Sequence, residues 1–319
     1  MKRVKRSMGM LLVLLILGAC ASLIPLKVGP PKDITIEATP ERLARGEYLA
    51  KSVMGCLYCH SEPNFDYWGG GLPKPGTEGA GGWHDAVSAG IMGSIDIYFS
   101  NITPAALGDW TDGEIVQALT EGVSKGGKPL FPIMPYGRYR HMPEEEIFSI
   151  VAYLRTLKPI ENPLPKKKVK RMFKVLERTF PQPWEPQPLP DPQDEVAYGK
   201  YLATIGDCVM CHTTMTKSGK LIEGMDFAGG NEYKLPNGQV VYSANITPDE
   251  ETGIGHWSRE DFIEAFKQYV EPQPVVGSKN TIMAWSAYAG MTEEDLGAIY
   301  AYLRSVPPVE HEVNVFGEE

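Results

Sequence analysis

The chain has 319 residues, with 40 acidic against 31 basic side chains and a net charge of −9. That acidic balance excludes nucleic acid as a partner, because phosphate backbones are bound by basic surfaces, and the length suggests two domains. Five cysteines fall into two pairs plus one, in an otherwise ordinary globular composition whose 33 glycines and 27 prolines imply many loops.

Residues 1–19 place Lys2, Arg3, Lys5 and Arg6 before an apolar run, Met8 to Leu17. A charged start followed by so short a run reads as an export signal rather than a membrane span. The run ends in Leu17-Gly18-Ala19-Cys20, which resembles the bacterial lipobox. The resemblance implies cleavage before Cys20 and acylation of its thiol and new amino group; an ordinary signal peptide or an uncleaved anchor are the alternatives. Each buried methylene contributes about 0.8 kcal/mol, so more than one chain gives stable anchoring. The expected order is a lipoprotein signal over 1–19 and a tether over 20–37, lipid-anchored at a bacterial cell membrane or outer membrane and facing the periplasm.

A first helix is expected from Thr39-Pro40, an N-cap followed by proline at the first helical position. It carries Arg45-Gly46-Glu47-Tyr48-Leu49-Ala50 and leads to Cys56-Leu57-Tyr58-Cys59-His60. Asn101-Ile102-Thr103-Pro104 follows, then Trp110 and a middle helix announced by the capping box Thr111-x-x-Glu114. Met134 stands in Pro132-Ile133-Met134-Pro135-Tyr136. A last helix is expected over about Pro143 to Leu157, with Ile147, Ile150, Val151 and Leu154 spaced to bury one face.

A proline- and lysine-rich segment, 163–190, reads as an extended linker. The same landmarks then return. Tyr198-Gly199-Lys200-Tyr201-Leu202-Ala203 leads to Cys208-Val209-Met210-Cys211-His212, followed by Asn245-Ile246-Thr247-Pro248, Trp257, Ser258-x-x-Asp261 and Met283. The helix from about Thr292 to Val306 closes with the Ala-Tyr-Leu-Arg that also ends the first half. Internal repetition at nearly constant offset indicates a duplicated domain, with copies over 38–162 and 191–319.

C-x-x-C-H is the attachment signature of a c-type haem, with two cysteine thioethers and an axial histidine. The pairs lie far beyond the roughly 15–20 residues that separate the knuckles of a zinc ribbon, and no βαβ pattern suggests a thioredoxin-like pair. Two covalently bound haem c groups follow, held by Cys56, Cys59, His60, Cys208, Cys211 and His212. The pattern is similar to the cytochrome c fold. It implies an all-α protein of two tandem domains, each with about three main helices and long loops. In that family the first and last helices cross closely, which suits Gly46 and Gly199 as crossing points, faced by Tyr153 and Tyr302.

Each copy offers two methionines for the second axial position: Met134 and Met142, then Met283 and Met291. Met142 and Met291 stand at the threshold of the last helix, where side chains pack as staples. Met134 lies in a loop that resembles the Met-Pro ligand loop of small cytochromes c, and Met283 occupies the same place without the proline. Met134 and Met283 are therefore the expected sulfur ligands. His84, His141, His256 and His311 read as surface or loop residues, and the N-x-Thr matches at Asn101 and Asn245 as false glycosylation signals.

The elements at 245–262 are similar to cytochrome subunits of bacterial membrane-bound alcohol and gluconate dehydrogenases, which usually carry three haem domains where this chain has two motifs. The resemblance implies an electron carrier, not an enzyme. Its donor would be a dehydrogenase or a quinol-oxidising protein and its acceptor a cytochrome or oxidase. The alternative is a dihaem enzyme, a peroxidase or a thiosulfate-oxidising cytochrome.

Overall fold

The computed structural model describes residues 26–70, 72–83, 98–165, 177–216 and 219–317. The segment read as an export signal, Cys20, His84 and the lysines of 166–176 lie outside the described residues. Helices dominate, and the strands among the described residues form four two-stranded antiparallel hairpins. Two compact units emerge. One comprises the described parts of Met1–Ile36, Trp110–Met142 and Lys168–Gln187; the other comprises those of Glu37–Asp109, Pro143–Lys167 and Pro188–Glu319.

The larger unit is built on two helix crossings. Helix α1 (Pro40–Tyr48) starts where Thr39 accepts a hydrogen bond from the Arg42 amide. It continues as a π-turn over Leu49–Val53, with the Met54 amide reaching back to the Leu49 carbonyl. The cause is visible in the repeat: one more residue separates Tyr48 from Cys56 than separates Tyr201 from Cys208, and a π-bulge absorbs one inserted residue. Helix α2 (Cys56–Cys59) carries the first cysteine pair, α3 (Pro104–Leu107) follows the Asn-Ile-Thr-Pro loop, and the last helix of this copy (Glu144–Thr156) packs across α1. A Cβ on Gly46 would lie 1.9 Å from the Ser149 carbonyl oxygen and 2.8 Å from Tyr153 Cβ, so only glycine allows this approach.

The second copy repeats the crossing. Its first helix (Glu195–Ile205) is capped by Asp194, and its last (Glu293–Ser305) by Thr292. A Cβ on Gly199 would meet the Ala298 carbonyl oxygen at 1.8 Å. The three nearest atoms there are backbone, and Tyr302 meets the Phe227 ring edge-on at 5.9 Å. Leu49, Ile147, Ile150, Leu202, Ile205, Leu296 and Leu303 are fully buried around the two crossings. Each such side chain contributes about 1.5–3 kcal/mol over its exposed state.

The copies are tied by a reciprocal exchange that the repeat alone does not announce. The Tyr48 hydroxyl donates to Asp295 at 2.5 Å, and its repeat equivalent Tyr201 donates to Glu146 at 3.3 Å. Asp295 and Glu146 are themselves equivalents, so each first helix reaches the last helix of the other copy. Glu146 also receives a two-pronged contact from Arg45 at 2.9 Å.

The smaller unit is organised by the middle helix of the first copy, Asp112–Glu121, whose Thr111–Glu114 capping box is complete. Residues read as tether and linker pack against it. Asp112 accepts the Ile36 amide at 2.8 Å, Gln117 donates to the Gly29 carbonyl at 2.8 Å, and Glu121 accepts the Trp184 amide at 3.0 Å. Trp184 is buried, with the Lys32 ammonium 4.3 Å from its ring centre. The second copy's middle helix, Arg259–Lys267, has the matching Ser258–Asp261 box and packs on Glu293–Ser305 within the larger unit.

Candidate functional site

Both Cys-x-x-Cys-His segments begin from a left-handed residue, Gly55 (φ 57°) in the first and Asp207 (φ 60°) in the second. A non-glycine residue in that region is strained and persists where surroundings demand it. The turn puts each cysteine pair on a single helical turn, α2 and its counterpart Cys208–His212. All four cysteines are half-buried.

The histidines are oriented in the same way. His60 Nδ1 lies 2.7 Å from the Ser100 carbonyl, and His212 Nδ1 lies 2.7 Å from the Ala244 carbonyl. A carbonyl only accepts, so Nδ1 carries the proton in each ring and Nε2 presents its lone pair. Burial lowers both imidazole pKa values against the raising effect of those carbonyl bonds, favouring the neutral, ligating form. The backbone behind the rings is duplicated bond for bond. Gly81 and Gly229 donate to the carbonyls of His60 and His212, at 2.8 and 2.6 Å. Ser61 and Thr213 accept the amides of Gly79 and Phe227, at 3.0 and 3.2 Å.

The Asn-Ile-Thr-Pro loop places those carbonyls, which are Ser100 and Ala244, one residue ahead of each asparagine. Asn101 Oδ1 accepts from the Thr103 amide and hydroxyl, both at 2.8 Å, and its Nδ2 donates to the Ile160 carbonyl at 2.7 Å. Asn245 does the same with Thr247 (3.0 and 2.8 Å) and the Val309 carbonyl (2.8 Å). The motif is thus a strut from the segment after the last helix to the histidine's acceptor. Sequence reading located the loop but not this role; its recurrence was the available signal. Asn245→Ala orphans several of these groups and is expected to cost about 1–3 kcal/mol. A denaturation midpoint unmoved from the parent's would contradict the strut.

The methionine loops also coincide. Met134 and Met283 are half-buried, and each carbonyl accepts the amide two residues on, at 2.8 Å, just before a one-turn helix (Tyr136–Tyr139 and Trp285–Tyr288). Pro135 has φ −80° and ψ 40°, and Ala284 has φ −77° and ψ 54°. Alanine therefore reproduces the turn that proline fixes in the first copy. Met142 and Met291 are fully buried. His212 and Met283 share the larger unit, which also holds His60; Met134 belongs to the smaller one.

Of the other histidines, His141 and His256 are exposed. His311 is half-buried rather than loose, its Nδ1 donating to the Ala228 carbonyl at 2.8 Å. Its repeat counterpart Asn162 donates to the Ala80 carbonyl at 3.1 Å. Among the described residues no three His, Cys, Asp or Glu side chains are gathered to hold a metal ion by themselves. No helix among them is long and apolar enough to cross a membrane.

The two motifs are also neighbours. Burial pushes the Cys59 thiol up to about 12, with Cys56, Asp207 and Cys211 adding to the shift. Tyr58, inside the first motif, is raised by burial and then by Cys59 and Cys211.

No family model matches the chain. It is 28% identical over 293 residues to the cytochrome c subunit of alcohol dehydrogenase (quinone) from Gluconacetobacter polyoxogenes, covering 86% of this chain and 58% of that protein. It is 27% identical over 297 residues to the fructose dehydrogenase cytochrome subunit of Gluconobacter japonicus, covering 87% and 55%. A diheme cytochrome c-type protein of Cereibacter sphaeroides is 25% identical over 316 residues, covering 94% and 97%. All three of these relatives are named as cytochromes. The chain's matches thus include cytochrome subunits of dehydrogenases, of whose length it spans less than two thirds, and a diheme protein matched almost end to end.

Proposed function

We propose that the chain is a dihaem c-type cytochrome, built from two tandem haem domains, that relays single electrons from a dehydrogenase to a respiratory acceptor. The carrying observation is the duplicated histidine geometry. Each imidazole is fixed through Nδ1, which leaves Nε2 as the lone-pair atom, beside a cysteine pair on one helical turn. Those residues fit a covalent haem, which when bound supplies a one-electron iron couple tuned by its axial ligands and surroundings.

The protein's part is to hold and tune. Cys56, Cys59, Cys208 and Cys211 would hold the haems as thioethers, and His60, His212, Met134 and Met283 would be the protein's ligands to iron. The Ser100 and Ala244 carbonyls fix the rings and raise their basicity as ligands. Thioether ligation by these methionines would raise the potential and leave no iron position open to reactants. Cys20 carries the lipid anchor, and the donor is a periplasmic or membrane-bound dehydrogenase, in keeping with the company the relatives' names describe.

The test is spectroscopic. The purified full chain should yield two c-type haems per polypeptide in a pyridine haemochrome assay. The reduced protein should show no rapid spectral change under carbon monoxide. A single haem per chain, or prompt carbon monoxide binding at either iron, would refute the relay and favour catalysis at the iron.

A further inference from the structure

A strap that follows the first haem motif, Phe65 to Gly70, runs beside the segment Gln273 to Met283 of the second copy. The Trp68 amide donates to the Gln273 carbonyl at 2.8 Å, the Val275 amide to Asp66 at 2.8 Å, and the Gly70 amide to Thr281 at 2.6 Å. At the centre is Asn280, only 3% exposed. Its Oδ1 accepts the Gly69 amide at 3.0 Å, and its Nδ2 donates to the carbonyls of Phe65 and Tyr67, each at 3.1 Å. Gln239 grips the backbone of Asn280 from the other side, at 2.9 and 3.3 Å.

Both ends of this arrangement reach redox machinery. Thr281, next to Asn280, accepts the Met283 amide on its hydroxyl at 3.2 Å. Gly69 sits so close that a Cβ there would lie 3.2 Å from the Met283 carbonyl oxygen. On the far side the Tyr58 hydroxyl, between the two cysteines of the first motif, donates to the Gly69 carbonyl. In the first copy Phe131 stands where Asn280 would be, three residues ahead of Met134.

We propose that Asn280 is a positioning residue that holds Met283 on the second iron, using the strap of the first copy as its anchor. The inference rests on Met283 being the sulfur ligand. A ligand loop hydrogen-bonded along one side to another copy cannot swing away without breaking those bonds together. The second haem's methionine bond, and with it that haem's potential, is therefore set by the first copy.

The experiment uses the full haem-loaded chain carrying Asn280→Ala, Asn280→Asp or Tyr58→Phe, with Met283→Ala in parallel. Asn280→Ala and Asn280→Asp should weaken the sulfur-to-iron band by up to half and lower one of the two potentials. They should also speed imidazole binding at one iron by about tenfold or more, as for other groups that support a ligand. Tyr58→Phe, which removes one hydroxyl and no volume, should move the same readouts less. If all three variants keep two haems, the whole band, both potentials and slow imidazole binding while Met283→Ala halves the band, the positioning role is refuted. If Met283→Ala itself leaves the band whole, the ligand assignment falls instead.

Discussion

Met283→Ala is expected to abolish the sulfur-to-iron band of one haem, drop that haem's potential and open its iron to carbon monoxide and imidazole. The drop should be a substantial part of the roughly 0.8 V range over which axial ligands tune haem. The reason is chemical: a thioether favours the ferrous iron, and removing it leaves water or a stronger nitrogen donor in its place. Met134→Ala should do the same to the other haem, and the double variant should lose the band entirely. The control is Met291→Ala. Met291 is fully buried at the threshold of the last helix, so its loss should cost about 2–5 kcal/mol of stability and leave the band in place. A band that survives Met134→Ala with Met283→Ala, or vanishes with Met291→Ala, would overturn the assignment. Potentiometric titration of the single variants separates the two haems.

Gly199→Ala should destabilise the haem-loaded chain by about 3 kcal/mol or more, as overpacking against immobile backbone does at its upper range. The sign carries the argument. Gly199 lies within the helix Glu195–Ile205, and at a free helical site alanine would stabilise by about 0.5–1 kcal/mol over glycine. Here the added methyl would sit 1.8 Å from the Ala298 carbonyl oxygen and 2.9 Å from the Ile299 amide nitrogen. The two helices must separate, and the buried Leu202, Leu296 and Leu303 lose packing. Gly46→Ala faces the Ser149 carbonyl at 1.9 Å and should behave alike. Denaturant titration gives the sign directly, and a more stable Gly199→Ala chain would mean that the crossing is looser than described.

Much of the main helical framework was legible in the residues. Thr39 and Thr292 each accept an amide at the start of the helix they were expected to open, and both capping boxes close as their spacing demands. These signals are local, resting on side chains within three residues of the groups they satisfy. The extra residue before Cys56 was also in the sequence, but its consequence, a π-turn in one copy and a plain α-helix in the other, was not anticipated. The short hairpins were missed too, being pairings of two or three residues that carry no periodicity.

By itself the sequence determined which residues are candidates to carry the chemistry. The cysteine pairs, the histidine after each and the methionine loops recur in register, and a duplicated local motif needs no knowledge of distant contacts. Only the tertiary structure decided what aims and couples them. The carbonyls of Ser100 and Ala244 orient the two imidazoles, Tyr48 and Tyr201 exchange partners between copies, and Asn280 ties the second methionine loop to the strap after the first motif. These bonds join residues tens to hundreds of positions apart, and two engage only a backbone carbonyl, which every residue possesses. An acceptor common to all residues leaves no mark in the side-chain pattern, so its use becomes visible only once the chain is folded.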